Sequence, residues 1–564
     1  SKTGLLKKNA EPLLRKVMKG YISYMRAEKP FVFPFRLYPP QAQVPKVNYY
    51  INGEKIEDHK KIQYTNIVSV PMQGIQANTY LFYLKNKLDK KLLKTIQDSD
   101  INNENEMKNY NKKMEKRKNN SNSENNSNSE NNSNSENNSN SENNSNSENK
   151  NSTKIQLKRK KVVQNIEDEL RKTFHFDLIS ISNIVFPIKQ NSKKKVASDQ
   201  IIGGFGKSCV ETSIDNGEGG YYKNVTSLRG KRSIKYKYQS HALFNYGKEN
   251  EVPFADESQI SNYSSKFASI LQSIKHSKGL VFIFSHFIEQ GTLPLALMLE
   301  QNGIERSCSN GETPLLDYTP NKKKGGGKRQ PICYLCGHHA KNNVHHDQKL
   351  KDFHHFSQAK YILYFGESKD IIKIRKEEAL QKFSNNKNKN GEEIKIFIGT
   401  KAVSEGLDFK RIRQVHIMDP WYNLSRHEQI IGRAIRNYSH VGLPPEERNV
   451  EIYQYASILN STKENKDWAS RESIDLRNYR MAENKDVIIK KINRLMKESA
   501  VDCVLFKKAN VIETNRKVKQ INSNGQVIEV AISDKPCSAL CDYQQKCDYK
   551  CVWEPANNKK YPVN

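Results

Sequence analysis

Apolar residues along this chain come in short blocks, and the spacing inside each block predicts an element. Gly279 to Ser285 (GLVFIFS) is an unbroken apolar run that suits a strand buried on both faces. FIEQGTLPLALMLEQNG follows, predicting a helix that ends at Gly303 in a C-cap. KYILYFG and EIKIFIGT are strand-like, the latter with Ile394, Ile396 and Ile398 in alternation, and QVHIMD and NVEIYQYAS add two more. Between these last two, Ile430, Ile431, Ala434 and Ile435 recur at helical spacing. SRHE at Ser425 to Glu428 reads as a capping box with Ser425 as N-cap. Gln429, Arg433 and Arg436 then share the polar face at i, i+4 and i+7. Strand, helix, strand, strand, helix, strand in a Val/Ile-rich setting predicts an α/β domain on a mostly parallel sheet.

The polar stretches divide the chain. From Asn119 to Glu148 the hexapeptide NNSNSE repeats without a single apolar residue, a period that fits neither helix nor strand. That segment cannot bury a core and is expected to be a disordered tether. Gly203 to Asn250, Asn321 to Lys328 and Asn385 to Gly391 read as further polar inserts or surface loops. The expected organisation is an extension over 1–100, a low-complexity tether over 101–161 and a polar insert over 162–262. An α/β lobe follows over 263–460, with a His/Cys-rich insert at 321–356, and a helical extension with a Cys-rich end closes the chain at 461–564.

Charge changes this picture. Lys and Arg number 93 against 62 Asp and Glu, a net +31. Such an excess favours a polyanionic partner, nucleic acid first, because neutralised phosphates release counterions. The accompanying abundance of Asn is also what an AT-rich coding sequence would produce. No run of 18 apolar residues occurs, so neither a membrane span nor a membrane partner is expected.

Cysteine and histidine gather in two places. ICYLCGHHAKNNVHHDQKLKDFHH holds Cys333 and Cys336, and six of the chain's 14 histidines fall between His338 and His355. Cys-x2-Cys with two later histidines is the donor set of a small structural zinc site, with His338 and His354 as candidate partners; a flexible His-rich loop is the alternative. Cys537, Cys541, Cys547 and Cys551 form a second possible tetrahedral set, or a packed thiol cluster.

Three strand ends place polar residues where α/β sheets collect ligands. GTKAVSEGLD supplies Thr400, Lys401, Glu405, Gly406 and Asp408, MDPWYN supplies Asp419 and Trp421, and the helix supplies Gln429, Arg433 and Arg436. Guanidiniums in that setting suit a phosphate whose charge grows during transfer. The ordered pair GTKAVSEGLD and QIIGRAIR resembles motifs V and VI (QxxGRxxR) of the second RecA-like lobe of superfamily 2 helicases, a P-loop NTPase-type fold. GLVFIFSHFIEQ looks like motif IV. LLRKVMKGYISYMRAEKP, YSSKF and CDYQQKCDYKC narrow the likeness to helicases of nucleocytoplasmic large DNA viruses. That group includes the poxvirus-like early transcription factor small subunit and nucleoside triphosphate phosphohydrolase.

The resemblance implies roles. Arg436 would be the arginine finger, Arg433 a γ-phosphate contact and Gln429 a neighbouring sensor. Gly406 and Asp408 would lie at the nucleotide, with Asp408 on its sugar or coupling the sites. Ser285, Thr400 and Lys401 would contact the nucleic-acid backbone. ATP and Mg2+ would be shared with a first motor lobe, and viral RNA polymerase or transcription factors would be partners. The setting would be intracellular: a host cytoplasmic viral factory or the virion.

A complete motor also needs a GxxxxGK[ST] loop and a DExH/D pair. Gly206-Lys207-Ser208 lacks its partner glycine, since position 201 is Ile201, and neither EDEL at Glu167 nor ADES at Ala255 follows an apolar strand. In the family, a segment like GYISYMRAEKP follows the first lobe, so this chain is expected to start where that lobe stops and to be inactive alone. The leading expectation is the C-terminal half of an ATP-dependent helicase or translocase. Two others stand beside it: a non-catalytic nucleic-acid-binding or transcription-assembly module, and a chromatin-remodeller-like translocase.

Overall fold

A computed structural model describes residues 10–26, 32–86, 176–187, 209–215, 221–222, 233–239, 243–246, 250–307, 314–316, 330–339, 354–364, 378–404, 407–462 and 465–552. Two compact units emerge, residues 3–84 with 177–564, and residues 85–176. The described elements belong to the first, and the repeat segment lies outside the described residues.

The centre of this unit is a nine-stranded sheet. Its order runs Glu305–Arg306, Lys360–Tyr364, Ile396–Gly399, Leu280–Phe284, Ile412–Ile417, Asn449–Leu459, Ile67–Met72 and Ala42–Gln43, with Phe35–Leu37 also beside Asn449–Leu459. Every pairing is parallel except Ala42–Gln43 against Ile67–Met72. Leu280–Phe284 is buried along its whole length, as its apolar run requires of a strand covered on both faces. Phe282, Phe284, Phe397, Phe409, Ile417, Ile430, Ile431 and Ala434 form one cluster between the sheet and the Leu424–Ala434 helix. The α/β, parallel-sheet expectation holds.

The boundaries shift. Residues 1–100 were expected to precede the lobe as an extension, yet Phe35–Leu37 and Ile67–Met72 are strands of its sheet. The Phe176–Asn183 helix, expected within a polar insert, is buried from Leu178 to Asn183. The helix after Leu280–Phe284 also starts late: Ile288–Thr292 is a π turn, and the α-helix runs Leu293–Gln301 with Asn302 as C-cap. Gly303 follows at φ +86°, as the C-cap reading requires. Asn385–Gly391 is not simply a surface loop. Asn388 is buried there, donating to the Phe383 and Ile394 carbonyls and accepting from the Glu393 and Ile394 amides.

The four terminal cysteines do not converge as one donor set. Cys541 is bonded to Cys547 and Cys551 to Cys503, leaving Cys537 exposed. The reason is tertiary: residues 541–552 fold back on the Ile474–Ser499 helix, where Lys497 pairs with Asp542 at 2.7 Å. That return brings Cys551 to a partner 48 residues away.

Buried histidines give the fold a pH dependence. His416 is stacked on Tyr453 and Tyr455, and burial pushes its pKa down to about 3. His440 is pushed down to about 4, again chiefly by burial. Both stay neutral in the native state and titrate near 6.5 when unfolded, so their stabilisation is full above that pH and drains away as the pH falls toward 4. Asp419 works in the opposite sense. Burial raises it to about 6, so its contribution is full at low pH and is lost as the pH rises through 6. The histidines outweigh it, and urea unfolding at pH 5 is expected to show lower stability than at pH 7. A midpoint that holds steady or rises at pH 5 would contradict the neutral burial of these rings.

Candidate functional site

The Leu424–Ala434 helix that carries the polar stripe begins two residues earlier than the sequence predicts. Asn423 is the N-cap, its side chain accepting from the Ser425 amide at 2.9 Å, and the Ser425 hydroxyl donates to the same oxygen at 2.7 Å. Glu428 closes no capping box; it pairs with Arg36 at 2.7 Å. The helix also stops at Ala434, with Ile435 as C-cap, so Arg436 lies beyond the helix rather than on its third turn.

Arg433 and Arg436 nonetheless converge. Arg436 Nη2 lies 2.8 Å from Asp408 Oδ1, and Arg433 Nη1 lies 3.7 Å from the same oxygen. Arg433 Nη1 also donates to the Leu407 carbonyl at 3.4 Å. Backbone bonds lock the two segments together, Phe409 N–H to the Arg433 carbonyl at 3.1 Å and Arg411 N–H to the Ser439 carbonyl at 3.0 Å. Asp408 is 60% exposed and Arg436 40%. An ion pair that exposed contributes at most about 1 kcal/mol, so a stronger anion can displace the carboxylate. Gln429 is exposed on the same helix, while Glu405 and Gly406 lie outside the described residues.

This group does not sit at the strand tips, where the sequence reading put it. The helix starts after the Ile412–Ile417 strand and runs back for 11 residues, about 16 Å, so Arg436 and Asp408 meet near the strand's beginning. The tips carry a separate, buried group. Ser285 Oγ donates to Asp419 Oδ1 at 2.5 Å, and the His286 amide donates to Oδ2 at 2.8 Å. Asn183 reaches Asp419 at 3.5 Å and accepts from Lys266 Nζ at 2.9 Å. Lys266 pairs with Asp475 at 2.7 Å, both side chains fully buried. His286 stacks on Trp421 at 4.2 Å at the rim of this group.

That burial corrects two assignments. Ser285 is completely buried and committed to Asp419, and Thr400 is 5% exposed, so neither side chain is presented to a nucleic-acid backbone. The turns that follow each strand cover them: Lys401–Ser404 after Thr400, and Ile288–Thr292 after Ser285. Gly291 makes this possible, since a Cβ there would collide with the Ser285 hydroxyl. Lys401 is exposed. Lys266 shares a helix face with Phe267, Ile270 and Ile274, the signal in the sequence that this lysine goes inside.

A third group lies in the Cys/His-rich insert. Donor atoms of Cys333, Cys336 and His354 all fall within 4.8 Å of one another. His338, expected as a ligand, is turned away, its Nδ1 lying 3.0 Å from the Cys336 carbonyl oxygen. Beneath them Lys395 is buried, and that burial lowers its pKa to about 7 against the pull of the two sulfurs.

Comparison with known proteins places these features. Residues 338–438 match the helicase conserved C-terminal domain. A putative ATP-dependent RNA helicase of Acanthamoeba polyphaga mimivirus is 26% identical over 400 residues, covering 68% of this chain and 32% of that protein. A putative helicase of invertebrate iridescent virus 3 is 31% identical, covering 46% and 22%. A termination factor NPH-I homolog of African swine fever virus is 30% identical, covering 44% and 34%. The chain thus spans about a third or less of the length of these relatives.

Proposed function

We propose that this chain carries the C-terminal, RecA-like lobe of a superfamily 2 helicase of the large-DNA-virus kind and is the arginine-bearing half of an ATP-dependent nucleic-acid motor, a reading supported by the helicase C-terminal match and the viral relatives. The observation that supports this best is the convergence of two guanidiniums on one exposed carboxylate. In the working state a triphosphate takes the place of the Asp408 carboxylate, and Arg436 stabilises the charge that develops on the transferred phosphoryl group. ATP and Mg2+ are held jointly, the phosphate loop and the Mg2+-binding carboxylates coming from a first lobe, in cis or as a partner. Lobe closure then couples turnover to movement along a strand. Lys401 and the basic surface form part of the nucleic-acid track. The names of the relatives point to RNA or to transcription as the setting, with viral RNA polymerase or transcription factors as partners in an infected cell.

The 564-residue chain with labelled single-stranded RNA or DNA tests the track. Binding is expected to weaken by roughly 10³-fold between 50 and 200 mM salt, as several phosphate contacts are screened. Affinity indifferent to salt would remove the basic track. ATP turnover by this chain alone is expected to be absent, and to appear when a first lobe is supplied. If nucleic acid binds with the expected salt slope but no first lobe ever restores turnover, the chain is a binding module instead.

A further inference from the structure

We propose that Cys333, Cys336 and His354 hold one zinc ion as a structural clip, with Lys395 fastening the turn between the two cysteines. The site lies apart from the arginine–aspartate group, and its failure would leave the motor reading untouched.

Backbone geometry, not side-chain reach, brings the donors together. Cys333 N–H donates to the His338 carbonyl at 2.9 Å and Gly337 N–H to the Cys333 carbonyl at 3.1 Å, closing a tight turn around both cysteines. Gly337 has φ +72°, and a Cβ there would run into the Lys275 carbonyl, so this turn requires glycine after the second cysteine. The returning segment is tied to the same turn by Tyr334 N–H to the Ser357 carbonyl at 2.9 Å and Ala359 N–H to the Ile332 carbonyl at 2.8 Å. His354 therefore arrives on a paired segment, with Nε2 3.4 Å from Cys333 Sγ.

The distances suit zinc. With Zn–S near 2.3 Å and Zn–N near 2.0 Å, the S···N edge of a tetrahedron is about 3.5 Å. The separation of 3.4 Å already matches, and the remaining spread of up to 4.8 Å closes with side-chain rotation. Two thiolates and an imidazole select zinc over Mg2+ or Ca2+, which take oxygen donors. Water or one further donor completes the fourth position.

Lys395 gives the second observation. Its Nζ donates to the Tyr334 carbonyl at 2.8 Å, inside the Cys-x2-Cys turn, and the side chain is fully buried. That bond ties the turn between the two cysteines to the residue just before the Ile396–Gly399 strand. The clip has a clear mechanical place: Ala359 leads directly into the Lys360–Tyr364 strand, so zinc would fasten the insert to that side of the sheet.

The test uses the full 564-residue chain, purified under reducing conditions without chelator and analysed for metal. About one zinc per chain is expected, with cobalt substitution giving the absorption of a tetrahedral site carrying thiolate-to-metal charge transfer. Cys333→Ser and His354→Ala should lose the metal. Cys336→His, which keeps a donor in place, should retain it, as should Cys537→Ser. A chain that stays metal-free after dialysis against zinc would overturn the proposal, as would zinc retained by a Cys333→Ser/His354→Ala double variant or lost from Cys537→Ser.

Discussion

Replacing Arg436 with alanine is expected to reduce ATP turnover of the assembled motor by about 10³-fold or more, the usual effect of an arginine that meets the transferring phosphoryl group. The chain's affinity for nucleic acid should change little, because the exposed Lys401 and the general basic charge remain. Arg436→Lys should recover only a small part of the loss: an ammonium presents a point charge where a planar fork is needed. The reference-state geometry explains why the effect falls on turnover rather than on folding. Arg436 is 40% exposed, and its Asp408 partner 60%, so the pair contributes little to stability. A variant that kept normal turnover, measured with the first lobe and nucleic acid at saturation, would show that this guanidinium does not meet the reaction.

The second large effect falls on stability. Asp475→Ala is expected to cost about 3–5 kcal/mol, because it strands the Lys266 ammonium in a site with no exposure to water. Lys266 would keep the Asn183 side chain as a neutral acceptor, which does not balance a buried charge. Asp475 also accepts the Ser457 amide at 2.9 Å from its place in the first turn of the Ile474–Ser499 helix, so that bond and a favourable dipole contact are lost too. Lys266→Met combined with Asp475→Leu removes both charges together and should be far milder than either single change. Urea unfolding followed by circular dichroism reads both. Equal and additive losses from the two single changes would mean that the pair is not coupled as drawn.

What could be read from the chain followed the range of the forces involved. Leu280–Phe284 was visible as an unbroken apolar run, as suits a strand buried on both faces, whereas Lys360–Tyr364 and Asn449–Leu459 showed through their Ile and Tyr content, the latter carrying Asn449, Glu451 and Gln454 into the interior. The apolar face of the Leu424–Ala434 helix was equally plain. Its ends were not. Asn423 and Ser425 are both good caps, and only the fold decides between them; the stop at Ile435 comes from the turn through Ser439, whose hydroxyl donates to the Arg436 carbonyl at 2.9 Å. Phe35–Leu37 is three residues long and gains strand character only from Asn449–Leu459, more than 400 residues later.

The site was legible as a set of residue types and not as an arrangement. Arg433, Arg436 and Asp408 meet, but at the far end of the returning helix, near the start of the Ile412–Ile417 strand, instead of at the strand tips. Ser285 was chosen for its place at a strand end, a position where a hydroxyl can either face a ligand or bind a neighbouring carboxylate; Asp419, on the adjacent strand, decides for the second. Cys333, Cys336 and His354 come together, whereas His338 and the four terminal cysteines join no such donor set, because Cys-x2-Cys and Cys-x3-Cys spacings say nothing of the segment that comes back.

The most direct measurement is a structure of the assembled motor with ADP, aluminium fluoride and nucleic acid bound. The account predicts that the Arg436 guanidinium has left Asp408 and lies about 3 Å from the fluoride that stands for the transferred phosphoryl group. Arg436 still paired with Asp408, with no guanidinium of this chain at the fluoride, would contradict it.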